Sequence, residues 1–555
     1  MSAQPVSTAR SMGRSSMVMA SGTAVSRALG LVRNVLLVAI LGSTGPIADA
    51  FDIANKVPNI LFAIIAGGVL NAVIVPQVMK AYRSPHAQEY LDKLLTITST
   101  ALLLLTIACT AGASGAVWIY TNGSSWTPGQ TSLAVAFAFW CIPQLFFYGL
   151  YSILGQVLNA RSQFGPFMWA PAMNNVISII GFGVFLLVFG GRDANAAVSD
   201  WGTAQVALLG GVATFGVICQ ALVLIIPLWR SGFRWNPRFG VRGVGLRSVG
   251  RVGMWTFAAV LLDQVAVWVT TSIATAAPAA AQSEGYTGAA VAGNGAYTQA
   301  LMVYLLPHSL VTVSVATALF TGMSAAAARG DLTAVRESVS RGLRVIGVFT
   351  VFATAALLVL SQPAMKLLVP SLRPEDVVVV GRVMLAMALG LVPLGAMVLM
   401  KWVYFAFEDG RTVFMIQIPV TIVLGAGAYA STFFLPGEWW VVAVAGAMSL
   451  SNLVAVLLRM RGLITKMDGL DLPRILRLHV QLAIAAGVAG GIGWGVLKIW
   501  GFAADDSFVQ ALSVTLLVGV TMTAVYVLAL RIMRVEELQG LVAPIVRKLS
   551  RRRAG

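Results

Sequence analysis

The sequence predicts an all-α polytopic membrane protein with about 14 transmembrane helices, arranged as two six-helix lobes plus two C-terminal helices. Of its 555 residues, 58% are hydrophobic and only 11% are charged, whereas a soluble domain carries about 25% charged residues. Apolar runs long enough to cross a bilayer core of ~30 Å recur along the whole chain. The basic residues are also concentrated in the connections on one side of this arrangement.

Fourteen runs reach the length of about 20 residues that one crossing requires. The first two runs carry several charged side chains, which makes them the most informative part of the sequence. An even number of crossings places both termini on one side of the membrane. In chain order the predicted spans are 17–42, 47–79, 93–119, 131–158, 166–189, 203–229, 247–277, 296–328, 343–362, 377–406, 413–433, 438–460, 477–499 and 507–532.

The distribution of Lys and Arg orients these spans. Connections and tails on one side hold 29 of the 38 basic residues, while the opposite connections hold Arg192, Lys366, Arg373 and Lys498. The positive-inside rule therefore predicts a multi-pass protein of the cytoplasmic membrane with both termini in the cytoplasm. This segregation also accounts for the net charge of +17 without a nucleic-acid partner.

The sequence carries no pattern typical of an enzyme, a metal site or a cofactor site. It contains no HExxH motif, P-loop or nucleophile elbow. Three cysteines inside apolar spans do not suggest a disulfide framework. The three histidines are scattered, and the glycine-rich stretch 487–495 lies in mid-span, where small residues favour close helix packing. We therefore expect a protein that is not an enzyme and has no cofactor.

The domain organisation follows from a basic connector at 229–251, which separates six spans from the next six. We predict an N-lobe at 1–229, the connector and C-lobe at 230–462, and two further spans with a basic tail at 463–555. The connector is either an ordinary positively charged loop or a segment that lies on anionic membrane lipids. Its proline and four glycines argue against a continuous amphipathic helix.

The two lobes show signs of an internal duplication. The stretch VLNARSQFGPFM at 157–168 links spans four and five, and VYFAFEDGRTVF at 403–414 links spans ten and eleven, 246 positions later. Paired bundles related in this way are a common transporter plan. Spans thirteen and fourteen have no counterpart in the first half.

The first span carries two cations, Arg27 and Arg33, although a charge near the centre of a membrane helix costs roughly 2.5–3.5 kcal/mol. Six residues separate them, so they lie about 120° apart around the helix and can both border a wide cavity. Ser26 and Arg33, seven residues apart, share a face. Such a cost predicts a functional role for the two arginines.

The second span places Asp49, Asp52, Lys56 and Asn59 within an arc of about 80°, with Pro58 in the same region. This polar stripe predicts the wall of a water-filled cavity. The alternative is that the charges of the two spans merely neutralise one another in salt bridges. Pairing would leave one positive charge over, because three cations face two anions. A cavity that accepts an anionic substrate explains this surplus charge. Arginine suits a diphosphate in particular, since its planar guanidinium donates paired hydrogen bonds to phosphate oxygens.

A second group of polar residues lies in the later spans. Asp263 stands beside Gln264 in an apolar run and could bind a coupling cation or carry a proton. The alternative is a carboxyl kept protonated by burial and hydrogen-bonded to a neighbouring helix. Gln417 and Thr421, four residues apart, are candidate partners from the same half.

Several of these residues carry a resemblance to a known family. The stretches SRALGLVRNVLLVAILGSTGPIADAF, KVPN, NARSQFGPFMWAPAMNN and DGRT resemble the MurJ (MviN) lipid II flippases, which belong to the multidrug/oligosaccharidyl-lipid/polysaccharide exporter superfamily. The resemblance covers the whole chain and implies a flippase that moves the undecaprenyl-diphosphate-linked peptidoglycan precursor by alternating access. It implies diphosphate contacts for Arg27 and Arg33, and functional roles for Asp49, Lys56 and Asn59.

The chain departs from that family pattern at several positions. Phe62 stands where a further cavity arginine is expected, and Gly67 where an acidic residue is expected. The eighth span reads QALMVYLLP without a charge, and LGAGAYA at 424–430 lacks the Asn and Asp of a sodium site. We therefore expect either the membrane potential or a monovalent cation to drive transport.

Two other functions fit the sequence. One is export of another lipid-linked glycan or of a drug by the same superfamily plan. The other is a transport-inactive scaffold that recruits cell-wall synthesis proteins through its basic tail RKLSRRRAG.

Overall fold

The computed structural model describes residues 6–66, 87–121, 126–161, 163–191, 197–240, 251–288 and 290–537. Within these ranges the chain forms α-helices joined by short connections, and no β-strand occurs among them. This architecture follows from the solvent, because a backbone in lipid must satisfy its own polar groups. The chain divides into two compact units, Met1–Gln264 and Val265–Gly555. The division into lobes at 229 and 462 stays a prediction.

In the N-terminal unit, each of the six predicted spans coincides with one or two helices. The helices are α1 (Val6–Leu41), α2 (Pro46–Ile65), α3 (Ala87–Ala111), α4 (Ala113–Thr121), α5 (Pro128–Cys141), α6 (Gln144–Ala160), α7 (Phe164–Phe189), α8 (Thr203–Leu222) and α9 (Ile225–Arg230). Helix α10 (Arg251–Ser283) begins in this unit and continues past the division at Gln264.

The C-terminal unit contains the remaining predicted spans. Its helices are α11 (Asn294–Pro307), α12 (Val313–Ala328), α13 (Leu332–Val359), α14 (Ser361–Leu368), α15 (Pro374–Ala388), α16 (Leu391–Ala406), α17 (Gly410–Phe434), α18 (Trp440–Lys466), α19 (Leu472–Trp500) and α20 (Phe508–Ile532). A π-helical turn, His308–Thr312, joins α11 to α12, so these two helices form one interrupted span.

The structure bears out an all-α membrane protein but does not confirm the count of 14 spans. Among the described residues, 11 helices are long and apolar enough to cross a membrane, or 12 when α15 and α16, bent by 48°, are taken as one span. The first two predicted spans are helical as α1 and α2 but are not among these. Residues 67–79 of the second predicted span lie outside the described residues.

Short polar side chains mark where several helices begin. The Thr127 hydroxyl accepts a hydrogen bond from the Gln130 backbone N–H at the start of α5, at 3.2 Å. The Asp331 carboxylate accepts one from the Ala334 N–H at the start of α13, at 3.0 Å. Such caps satisfy backbone donors that have no partner within the helix. Helix α19 ends at Gly501, whose φ of 78° suits glycine.

Aromatic side chains form the core of the N-terminal unit around α2, α5 and α7. The Phe137 ring lies 5.2 Å from the Phe51 ring and 5.6 Å from the Trp201 ring, centroid to centroid. In the C-terminal unit, α19 and α20 pack on α13, and the Tyr526 hydroxyl donates to the Val348 carbonyl at 2.8 Å. The last two helices are therefore part of the C-terminal unit's core.

A repeated hydrogen bond supports the internal duplication. The Thr214 hydroxyl on α8 donates to the Trp140 carbonyl at 2.6 Å, beside the break between α5 and α6. The Ser449 hydroxyl on α18 donates to the Ala386 carbonyl at 2.7 Å, beside the break between α15 and α16. The two carbonyls are 246 positions apart, the offset that the sequence predicts. The hydroxyls are 235 apart, because the segment before α18 is shorter than the one before α8.

A second repeated contact joins the end of span four to the end of span six in each half. In the N-terminal unit, the Arg161 guanidinium donates to the Ser231 carbonyl and lies 5.4 Å from the Phe233 ring centroid. In the C-terminal unit, the Lys466 ammonium lies 5.3 Å from the Phe407 ring centroid. Arg161 and Phe407 are again 246 positions apart, so both halves use a cation at this junction.

The basic connector is described as far as residue 240 and is not helical over 231–240, in agreement with the expectation from its proline and glycines. It is attached to α3 by hydrogen bonds: the Trp235 indole N–H donates to the Thr96 hydroxyl at 3.1 Å, and the Asn236 backbone N–H donates to the Asp92 carboxylate at 3.1 Å. Its contact with anionic lipids stays a prediction, and residues 241–250 lie outside the described ranges.

Candidate functional site: a polar cavity around Arg33

A cavity of about 220 Å³ lies inside the N-terminal unit, among α1, α2, α6, α7 and α8. Its wall is mainly polar, with amide, hydroxyl and guanidinium groups facing a small enclosed space. It is lined by Arg33, Leu37, Phe51, Asn55, Asn59, Gln144, Tyr148, Asn174, Ser178, Phe182, Ala213 and Val217. Convergent polar groups in a concave space are a feature that binding sites use to fix and select a ligand.

Arg33 supplies the charge of this cavity. No carboxylate belongs to the lining, and among the described residues no carboxylate lies within ion-pair distance of Arg33. The neutral amides of Asn55 and Asn59 are its polar neighbours on α2. A cation enclosed by neutral groups in low dielectric attracts an anion strongly. The structure therefore places one of the two predicted arginines where an anionic group can reach it.

Helix α2 brings Asn59 to the cavity, as its polar stripe predicts. The Asn59 amide donates to the Asn55 carbonyl at 2.7 Å, which fixes the orientation of the Asn59 side chain. Pro58 lies inside the helix and has no N–H to donate to the preceding turn. The proline thus loosens the hydrogen-bond ladder at the turn that carries the cavity amides.

The charged residues of the same stripe do not line this cavity. The Lys56 ammonium forms an ion pair with the Asp52 carboxylate at 2.9 Å, one turn away on α2, and both side chains are about four-fifths buried. Asp49 is buried in the first turn of α2, where a carboxylate is stabilised by the helix N-terminus. The alternative interpretation, neutralisation in salt bridges, therefore applies to one pair within α2, and this pair does not involve Arg33.

The residues of the first span divide between packing and the cavity. Ser26 contacts α7: the Asn175 amide donates to its carbonyl at 2.7 Å and to its hydroxyl at 3.3 Å. Arg27 is partly buried and is not part of the cavity lining. Ser26 thus serves helix packing in this structure, although it shares a face with Arg33.

The cavity residues on α6 and α7 were not predicted from the sequence. Gln144 is buried, and its amide donates to the Thr214 hydroxyl at 3.2 Å. Tyr148, one turn later, donates to the Gln144 carbonyl oxygen at 3.2 Å. The signal that could have found them is the spacing of four between two polar groups inside an apolar span.

Phe62 occupies the position where the family pattern has an arginine. Its ring centroid lies 5.5 Å from that of Tyr148, with an angle of 35° between the planes. The aromatic contact closes one side of the Tyr148 ring, which itself lines the cavity. The departure from the pattern therefore exchanges a charge for packing against a cavity residue.

The candidate ion-coupling residues fall into both units. Asp263 and Gln264 are partly buried in α10, at the end of the N-terminal unit. Gln417 in α17 accepts a hydrogen bond at 3.3 Å from the guanidinium of Arg459. The Thr421 hydroxyl is buried without a hydrogen-bond partner in the described part of the chain. Gln417 is therefore engaged in packing, and the ion-coupling role of the set stays a prediction.

Arg459, at the end of the predicted span 438–460, is a buried cation that was not singled out from the sequence. It lies in α18 with a relative exposure of 1%, and it also donates to the Met397 carbonyl at 3.1 Å. The Tyr404 hydroxyl donates to the Arg459 carbonyl at 3.2 Å. Arg459 thus joins three helices of the C-terminal unit, α16, α17 and α18.

A family model described as "Lipid II flippase MurJ" matches residues 37–514, most of the chain. This chain belongs to the MurJ family of lipid II flippases. The match includes the α2 stripe, the connector and the DGRT turn. It begins four positions after Arg33, so the two arginines of α1 lie outside it.

Curated relatives match this chain over most of its length. A probable lipid II flippase MurJ of Rhizobium meliloti (strain 1021) is 29% identical over 402 residues, which cover 70% of this chain and 69% of the relative. The lipid II flippase MurJ of Burkholderia cenocepacia is 26% identical over 485 residues, which cover 85% and 87%. The sequence similarity to these family members therefore extends over most of each chain.

Solved structures show the same fold. A lipid II flippase MurJ in an inward closed conformation is similar with a TM-score of 0.67 at 18% identity, covering 92% of this chain and 98% of that one. An inward-facing multidrug resistance MATE family transporter of the MOP superfamily is similar with a TM-score of 0.63 at 14% identity, covering 81% and 98%. The helical architecture is thus that of the wider transporter superfamily.

Proposed function

We propose that this multi-pass membrane protein translocates lipid II, the lipid-linked peptidoglycan precursor, from the inner to the outer leaflet by alternating access. Membership of the flippase family and two relatives named for this activity support the assignment. The protein then acts in cell-wall biosynthesis and is a transporter without a catalytic step of its own.

The observation that carries the proposal is the cation in the N-terminal cavity. Arg33 faces amides and hydroxyls, and the lining holds no carboxylate to neutralise it. A diphosphate offers two adjacent anionic groups that accept paired hydrogen bonds from a guanidinium. The neutral amides of Asn59 and Asn174 can donate to the remaining phosphate oxygens. Arg33 is therefore the primary diphosphate contact.

Lys56 and Arg27 supply further positive charge from the same two helices. Lys56 is paired with Asp52 within one helix. An arriving diphosphate carries more negative charge than one carboxylate and offers the ammonium a competing partner. Asp49 and Asp52 hold these cations between transport cycles.

The membrane potential or a monovalent cation drives the cycle in this proposal. Each charge that moves through 100 mV gains roughly 2.3 kcal/mol. Asp263 and Gln264 are the candidate cation ligands, because Gln417 already accepts a hydrogen bond from Arg459. Both termini lie in the cytoplasm, and the basic connections contact anionic membrane lipids and cell-wall synthesis proteins.

The decisive test is complementation of a flippase-depleted bacterium, scored by lipid II exposed on the outer leaflet. The full chain should restore exposure. Arg33→Gln should lower the rate by roughly 100-fold, which corresponds to two charge-assisted hydrogen bonds at about 1.5 kcal/mol each. Full restoration by Arg33→Gln would remove the cavity from the proposal.

Export of another lipid-linked glycan is the second candidate, and Phe62 is the observation that favours it. The position contributes aromatic packing to Tyr148 instead of a second cavity cation, so the charge available for a diphosphate is smaller. Lipid II that stays on the inner leaflet in complemented cells, together with accumulation of a different glycolipid on depletion, would favour this candidate.

A further inference from the structure

A chain of hydrogen bonds links the Trp140 carbonyl through Thr214 and Gln144 to Tyr148 in the cavity wall. The carbonyl at its far end fixes which group donates in each bond. The Thr214 hydroxyl donates to the Trp140 backbone carbonyl at 2.6 Å, and a carbonyl can only accept. Thr214 has one hydrogen and has therefore used it. The 3.2 Å contact between Thr214 and Gln144 must then be a donation from the Gln144 amide NH₂.

The same reasoning fixes the orientation of the Gln144 amide and then that of the Tyr148 hydroxyl. Because its NH₂ group faces Thr214, the Gln144 carbonyl oxygen faces Tyr148, 3.2 Å from the hydroxyl. That oxygen can only accept, so the Tyr148 hydroxyl donates its single hydrogen to it. The Tyr148 oxygen is left with lone pairs and no hydrogen to offer. It can act toward the cavity only as an acceptor.

Arg33 is the neighbour that needs an acceptor. The guanidinium has five donors and no acceptor, and Arg33 and Tyr148 line the same cavity. Phe62 closes one side of the Tyr148 ring, and Gln144 is 1% exposed, so the tyrosine is held in place by packing as well as by hydrogen bonds.

We propose that Tyr148 is a positioning residue for Arg33: the Trp140–Thr214–Gln144 chain turns its oxygen into a fixed neutral acceptor that orients the guanidinium. A carboxylate in that place would neutralise the cation, whereas a phenol oxygen orients it and leaves its full charge for an anionic substrate. The inference rests on the proposed function, because it concerns the residue that meets the diphosphate.

The test is a double-mutant cycle on lipid II binding by the purified full-length protein in nanodiscs. Tyr148→Phe removes only the hydroxyl and should weaken binding by about tenfold, the value of one hydrogen bond to a charged group. Thr214→Val frees the Gln144 amide to turn and should weaken binding by about threefold. In the Arg33→Gln background neither change should have an effect.

Tyr151→Phe is the matched control. Tyr151 lies three residues away on α6 and its hydroxyl donates to the Phe167 carbonyl at 2.9 Å, but it does not line the cavity. It should leave lipid II affinity unchanged in both backgrounds. Thermal unfolding of each variant checks that the protein is folded.

The outcomes separate this inference from the proposed function. If Tyr148→Phe weakens binding equally in the parent protein and in the Arg33→Gln background, the tyrosine acts on structure alone and the inference is overturned. If Arg33→Gln weakens binding but Tyr148→Phe does not, only the positioning role fails. If Arg33→Gln itself leaves binding unchanged, the proposed function fails first. A tenfold loss of lipid II affinity in Tyr148→Phe that disappears in the Arg33→Gln background supports both the positioning role and the proposed function.

Discussion

Arg33 in α1 and Arg459 in α18 are both arginines within helices of a six-span half, and their surroundings differ. Arg33 faces a polar cavity without a carboxylate in its lining. Arg459 is 1% exposed, and it donates to the Met397 carbonyl and to the Gln417 side chain. One guanidinium keeps donors available for a ligand, and the other uses its donors to hold helices together.

The comparison shows why a charge in a membrane helix does not by itself identify a site. An intramembrane cation is costly wherever it lies. The C-terminal unit meets this cost with a backbone carbonyl and an amide oxygen, so Arg459 becomes a structural joint. The N-terminal unit surrounds Arg33 with neutral groups and leaves room beside it, which is the arrangement a binding site requires.

The largest expected difference between the two arginines concerns transport. Arg33→Gln should lower outer-leaflet exposure of lipid II by roughly 100-fold and leave the apparent melting temperature almost unchanged. Arg33→Lys, which keeps the charge but loses the planar fork, should retain part of the activity. A transport assay with thermal unfolding of the same preparations checks this pair. An Arg33→Gln protein that unfolds early would make Arg33 a structural residue like Arg459.

The next effect in size is on stability. Arg459→Leu should lower the free energy of unfolding by about 2–3 kcal/mol, because the Met397 carbonyl and the Gln417 oxygen lose a buried donor. Arg461→Leu is the control, since Arg461 is exposed two positions along the same helix. Thermal unfolding in detergent compares them. Equal melting temperatures for the two variants would show that Arg459 is not a joint.

A smaller effect is expected at the DGRT turn of the C-terminal unit. Asp409 accepts hydrogen bonds from the Thr412 backbone N–H at 3.1 Å and from the Lys466 ammonium at 2.6 Å. Burial raises the pKa of Asp409, but these hydrogen bonds outweigh it and hold the pKa below its ordinary value. Asp409→Ala should therefore cost about 1 kcal/mol of stability near neutral pH.

The pH dependence of that contribution follows from its sign. A carboxyl with a lowered pKa stabilises the fold above its ordinary pKa of about 4, and the contribution disappears as the pH falls through the lowered value. The melting temperature of the parent should thus approach that of Asp409→Ala in acid. Asp409→Asn, which keeps a capping side chain without the charge, should lie between them at neutral pH. A constant difference from roughly pH 7 to pH 3 would contradict this account.

The smallest effect concerns the repeated hydroxyl contact. Ser449→Ala removes hydrogen bonds to the Ala386 and Met387 carbonyls at 2.7 and 3.2 Å, and should cost about 0.6 kcal/mol, as is common between membrane helices. Its counterpart Thr214→Val should cost a similar amount of stability. Only Thr214→Val should also weaken lipid II binding, because Thr214 holds the amide of Gln144, which lines the Arg33 cavity, whereas Ser449 bonds to backbone carbonyls outside the lining. Binding losses in both variants would contradict the difference between the halves.

The sequence by itself determined the helical membrane fold and the repeat offset of 246, and it predicted that Arg33 and Asn59 border a cavity, where the structure places them. A long apolar segment in lipid must satisfy its own backbone hydrogen bonds, and an α-helix does this within the segment. The hydrophobic period and the spacing of polar residues are local properties that can be read directly from the sequence. The sequence left open whether the charges in the first two spans pair with one another or border a cavity. Residue spacing defines which side chains share a helix face, but it does not show which residues that face contacts.

Only the tertiary structure decided which polar residues meet. Lys56 pairs with Asp52 in its own helix, Ser26 packs on α7, and Arg459, which was not singled out from the sequence, is buried. Gln144, Tyr148 and Thr214 come from α6 and α8 and form one chain of hydrogen bonds. Their roles depend on the direction of each donor across helix contacts, and that direction is a property of three-dimensional packing which no single segment encodes.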